Sequence, residues 1–168
     1  MNSQFLQNTL RFVSLILMQV VVFNNQNIFG YINVYPYILF VILYPIGYSR
    51  YGLLFASFLL GLTVDMFSNS GGMHAASCIC LAFFRHNLFR ISFGINYEHQ
   101  IIKIPQLPFK EQFIFIFFST LIHHLVLFSL EAFTFTLALE VLIKTVLSTI
   151  FTTIFSLLII NIFKTSKR

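Results

Sequence analysis

The chain has 168 residues, 58% of them hydrophobic and only 9% charged, with a net charge of +5. Soluble domains carry about 25% charged residues, so this chain has too few polar side chains to coat a water-soluble globule. The composition points instead to a polytopic membrane protein. It also removes nucleic acid as the reading of the positive charge, because basic residues of membrane proteins gather on the cytoplasmic side.

Six apolar stretches follow one another as candidate spans of a single integral domain, at about 9–23, 33–49, 51–67, 73–92, 110–131 and 139–163. The first contains Phe12 to Phe23 behind Arg11 and runs into Asn24 and Asn25 with no small-x-small cleavage signal, so it reads as an uncleaved transmembrane helix. Pro36 and Pro45 make the second short, kinked, or helical mainly between them. The third, YGLLFASFLLGLTVDMF, carries the small-xxx-small pair Ser57 and Gly61, and a tight SNSGG turn joins it to the fourth. The fourth opens with small residues, and Ala75, Cys78 and Ala82 share one helical face. Tight packing between the third and fourth helices is therefore expected, with the turn between them. Cys78 and Cys80 point about 200° apart on a helix, so they imply neither a disulfide nor a metal pair.

Charge supports this division. With the N-terminus inside, every basic residue except Lys144 falls on inner segments, and the three outer connections carry none. Lys144 lies four residues after Glu140, the favourable spacing for an intrahelical ion pair. The one long inner connection, His86 to Phe109, is expected either to be an ordinary basic loop or to lay Phe89, Ile91 and Phe93 at the lipid interface.

Asp65 is the sole acid in the first 97 positions and sits in a membrane-grade run. A carboxylate costs about 2.5–3.5 kcal/mol at a helix centre, so it needs a partner or a task. It could accept N–H groups opening the next helix near Met73 and His74, with Gly71 and Gly72 permitting close backbone approach. A partner contact or an ion or substrate site are the alternatives.

In the fifth stretch His124 and Glu131 are seven apart and so share a face, beside His123. A relay or a metal is conceivable chemistry, but adjacent histidines diverge and no third ligand is apparent. A polar seam satisfied by neighbouring hydroxyls fits better. In the last stretch Thr145, Thr149, Thr152 and Ser156 form a hydroxyl stripe. It either bonds its own backbone or forms an interface, within the chain or with a partner helix. No nucleophile elbow, phosphate loop or zinc motif occurs, so no enzyme, metal or cofactor is expected.

The segments GLTVDMFSNSGGMHAAS, AFFR ending at Arg85, HHLVLFSLEAF from His123 to Phe133, the early QVVVFNN and the GYSR before the third span resemble the MreD family of rod shape-determining proteins, in its Bacteroidetes form. Asp65 and Arg85 match the first motif and Glu131 the second. The resemblance implies an all-α, six-helix protein of the cell inner membrane with cytoplasmic termini, similar in fold to the substrate-binding subunits of energy-coupling-factor transporters. It implies a scaffold that binds MreC, in a complex with MreB, RodA and a class B penicillin-binding transpeptidase, and organises lateral peptidoglycan synthesis and cell shape. The rival expectation is a small-solute-binding subunit of such a transporter. Faces proposed for the MreC helix are Ala75/Ala82 and Thr149/Thr152.

Overall fold

A computed structural model describes residues 3–24, 30–94, 103–162 and 164. The described residues form helices and no β-strand. Helix α1, Ser3–Met18, continues in π-helical form through Gln19–Phe23. The second segment is a 3-10 turn, Pro36–Ile38, feeding a five-residue helix α2, Leu39–Leu43. Proline needs no N–H partner at the start of a helix, and Pro45 pushes the preceding residue out of helical geometry. Tyr44 accordingly has ψ 133°. The segment is thus helical only between its two prolines and is no through-going helix.

Helices α3 (Arg50–Ser68) and α4 (Met73–Phe93) form a hairpin. Helix α5 covers Phe109–Ala132, and α6 covers Ala138–Ile162 after a 3-10 turn at Phe135–Leu137. Where six spans were expected, four helices among the described residues are long and apolar enough to cross a membrane: Phe5–Phe23, Arg50–Ser68, Phe109–Ala132 and Ala138–Ile162. Helix α4 has the length, but His74, Arg85, His86 and Arg90 dilute its hydropathy.

Alongside its apolar core the bundle buries polar faces and turns apolar ones outward. On α6, Ser148, Thr149, Thr152, Thr153 and Ser156 are buried, while Leu142, Val146, Ile150, Ile154 and Leu158 are exposed. Water would reverse that arrangement. In hydrocarbon it is the stable one, since aliphatic side chains face lipid without cost and polar groups must find partners within the protein.

Consecutive helices pack antiparallel. Arg50 Nη2 donates to the Phe83 carbonyl at one end of the α3–α4 hairpin, and Asp65 meets His74 at the other. Likewise Phe89 stacks on Phe115 while Cys78 lies beside His123, aligning α4 with α5. Thr120–Thr153 and His124–Thr149 hydrogen bonds align α5 with α6. This topology gathers Arg11, Arg50, Arg85, Lys103 and Lys110 at one end of the bundle. The paired Glu140 and Lys144, 3.0 Å apart, lie at the other end.

Helix α4 fills the expected 73–92 stretch, so the inner connection begins after it rather than at His86. The helix reaches Phe93, and Phe89 is buried in the core rather than lying at the lipid interface, while Ile91 is exposed. Residues 95–102 of the long inner connection lie outside the described residues.

Candidate functional site

Three polar clusters tie the helices together, and the sequence-singled residues fall mostly within them. The first surrounds Asp65. Helix α3 ends in a left-handed Asn69 whose N–H returns to the Asp65 carbonyl. Helix α4 then begins behind Gly72, which has φ 95° and no side chain with which to cap it. An N-cap residue ordinarily accepts from the second and third helical N–H groups. Here the Asp65 carboxylate does so from across the turn. Its Oδ1 accepts from His74 N at 3.0 Å and its Oδ2 from Ala75 N at 2.9 Å, while Ser70 Oγ donates to Oδ1 at 2.5 Å. The negative group also faces the positive end of the α4 dipole.

The donors are therefore His74 and Ala75, one residue on from the pair named from sequence. The two turn glycines also act differently from expectation. A Cβ at Gly71 or Gly72 would meet nothing within 4 Å, so close approach is not their reason. Their positive φ angles, 62° and 95°, are. Close approach occurs instead at Gly61, packed against the backbone of His74 and Ala75.

The second cluster fills the centre of the bundle. The Tyr37 hydroxyl lies 2.7 Å from His74 Nδ1 and 2.8 Å from His123 Nε2. A phenol carries one proton, so one imidazole accepts from it and the other donates to it. The three groups thereby fix one another's tautomers and pin the second segment to α4 and α5. His124 turns the other way, as adjacent helical residues must, and its Nδ1 pairs with Thr149 Oγ1 at 3.1 Å. The Tyr35 ring packs against His74 and His124 at centroid distances of 5.3 and 5.6 Å.

Two α6 hydroxyls serve a different purpose. Thr152 Oγ1 accepts from Tyr35 N at 3.3 Å, and Ser148 Oγ from Asn33 N at 3.0 Å. Non-helical backbone at membrane depth survives only where protein satisfies its polar groups. The stripe supplies that for the chain entering α2, so it is an interface within this chain. Thr149 and Thr152 are fully buried, and Ala75 and Ala82 are nearly so. Neither face offers a surface to a partner helix, which corrects both proposed docking faces.

The third cluster closes the other end of α2. Its last carbonyls lose their helical donors because Pro45 follows. Arg85, buried on α4, donates through Nη2 to the carbonyls of Ile42 and Tyr44, and its guanidinium rests 4.6 Å over the Phe89 ring. Arg11 Nη1 donates to the Leu43 carbonyl at 3.1 Å.

Glu131 does not join the central network. His124 is wholly buried, whereas Glu131 is exposed at the end of α5 and lines a cavity of about 220 Å³ with Glu140 and Lys144. The polar seam expected here is met by hydroxyls, Thr149 for His124 and Tyr37 for His123, and Glu131 stands outside it.

Sequence reasoning passed over Tyr37, Tyr35, Ser148 and Arg11. A tyrosine bracketed by Pro36 and Pro45 in an apolar run was the available signal for the first. Among the described residues, no group of three or more His, Cys, Asp or Glu is placed to hold a metal ion. What the central cluster does chemically is lock geometry. Tyr37→Phe, which strands both imidazoles in the interior, is expected to lower stability by about 1–3 kcal/mol. Thermal unfolding in detergent reads this, and an unchanged midpoint would contradict the role. Compared with protein-family models, curated proteins and solved structures, the chain matches none.

Proposed function

We propose that this chain is a non-enzymatic membrane scaffold of the MreD kind, binding an MreC-type bitopic protein in the cell inner membrane. In this reading it helps organise lateral peptidoglycan synthesis by RodA-type and class B penicillin-binding partners, alongside MreB filaments. One observation carries it. The residues of the resembling segments are engaged in joining the chain to itself: Asp65 caps α4, Arg85 caps α2, and His74 and His123 grip Tyr37. Groups held in this way set helix positions rather than act on a substrate. They leave a rigid body whose apolar outer faces meet lipid and other membrane helices.

Six crossings fit the same body. Helix α4 pairs with α3 along its length, so both traverse one layer. The second segment runs from the middle of α6, at Ser148, to the basic end, at Arg11. In this reading the basic end, where α1 begins and α6 ends, is the cytoplasmic one, as the positive-inside rule favours.

Affinity purification from native membranes in mild detergent, read by mass spectrometry, tests the reading. Recovery of a bitopic periplasmic coiled-coil protein with a glycosyltransferase–transpeptidase pair is the expected result. Recovery of two ATPases and a coupling membrane protein would replace it with the transporter reading.

A further inference from the structure

Two cavities meet at the basic end of the bundle. The first, about 320 Å³, is walled by Gln7, Asn8, Arg11, Lys103 and Gln106, with Tyr44 and Pro45. The second, also about 320 Å³, is walled chiefly by Leu15, Leu39, Leu43, Ile159 and Ile160. Arg11, Leu43 and Pro105 line both, so the two adjoin as one cleft between α1, α2 and α6 with a polar basic part and an apolar part. Arg11 uses Nη1 for Asn8 and Leu43, and no described residue accepts from its Nε or Nη2. Lys103 is exposed at the rim. Neither cavity is lined by a carboxylate among the described residues.

We propose that this cleft binds an anionic phospholipid, its phosphate between Arg11 and Lys103 and one acyl chain along Leu15, Leu39 and Ile160. The charge and the layering both select this occupant. Two cations facing a pocket without an acid demand an anion. A fatty chain fills a slot lined by leucine and isoleucine as a free phosphate does not. Basic pockets between helices on the cytoplasmic side suit anionic headgroups in particular. The lipid would add a third element to the seam where Arg11 already caps α2, tying α1 to α6 through the bilayer.

Native mass spectrometry of the full chain tests this, with palmitoyl-oleoyl phosphatidylglycerol and the matching phosphatidylcholine added separately. Occupancy by phosphatidylglycerol is expected to exceed that by phosphatidylcholine by about twenty-five-fold, since each of the two nearby bases contributes about fivefold. Lys103→Gln, at an exposed position that bonds no side chain among the described residues, is expected to cut the preference by about fivefold. Lys110→Gln, outside both cavities, is expected to leave it intact. Ser14→Phe, at an exposed position on the wall of the apolar part, is expected to weaken both lipids.

Equal occupancy by the two lipids would overturn the proposal. So would an equal loss in Lys103→Gln and Lys110→Gln, which would indicate a diffuse basic surface. Displacement by equimolar inorganic phosphate would reassign the cleft to a soluble anion. None of these outcomes depends on which protein partners the chain recruits.

Discussion

Gly61→Ala is expected to destabilise the folded protein by about 1–3 kcal/mol, and Gly61→Leu to prevent recovery of folded material. An added Cβ would stand 2.5 Å from Ala75 Cα and from the His74 carbonyl oxygen, and 2.6 Å from Ala75 N. All three are backbone atoms of the first turn of α4, so no side chain can rotate away. Relief requires moving α4 off α3. That motion also stretches the two bonds from His74 N and Ala75 N to Asp65, so the cost of the methyl group is compounded by a loosened cap. Gly52→Ala is the matched control in the same helix. Its Cβ would meet nothing nearer than the Tyr44 hydroxyl at 3.5 Å, an ordinary contact. With the part-buried Cys80 replaced by serine in every variant, Cys78 is wholly buried and serves as the probe, reacting with a fluorogenic maleimide on unfolding. A lower midpoint for Gly61→Ala with Gly52→Ala unmoved is the expected pattern. Equal midpoints would remove the close approach as a stabilising feature.

The sequence makes this hairpin legible because its signals are local. Ser57 and Gly61, the SNSGG turn and a lone acid nine residues before His74 all bear on one joint. The helices themselves were also readable from apolar runs and their punctuation. The second segment was harder. Two prolines announced a break, but nothing local told that its backbone would lean on Ser148 and Thr152, more than a hundred positions away. The α6 stripe was visible as a pattern and still ambiguous, since a hydroxyl face reads the same whether its partner is another chain or the chain's own irregular strand of backbone. Arg85 illustrates a similar limit. Its match to the resembling motif singled it out, while its acceptors, the carbonyls of Ile42 and Tyr44, become orphans only when α2 is seen to stop. Glu131 failed in the opposite direction. Helical spacing put it in line with His124, but spacing says nothing of where packing ends.

Asp65→Asn is expected to cost about 1.5–3 kcal/mol, the range for hydrogen bonds to charged groups, and Asp65→Ala more. The carboxylate offers two acceptors to two N–H donors and takes a third bond from Ser70. Asparagine keeps one acceptor and turns an NH2 group toward the other N–H, setting donor against donor. No nearby side chain can take over. Gly72 holds the N-cap position with φ 95° and ψ 4°, far from the extended geometry in which a capping side chain reaches the first turn. Asp65→Glu is expected to fail as a rescue too, because an added methylene does not fit between α3 and an α4 backbone already in contact with Gly61. The competing roles for Asp65 diverge at this point. An ion- or substrate-coupling carboxylate would tolerate asparagine with an unchanged unfolding midpoint and lose only activity. A partner-contacting one would keep its midpoint and lose the co-purifying protein. A cap loses the midpoint itself, together with earlier exposure of Cys78, since the α4 turn that it holds is the one that seats His74 against Tyr37.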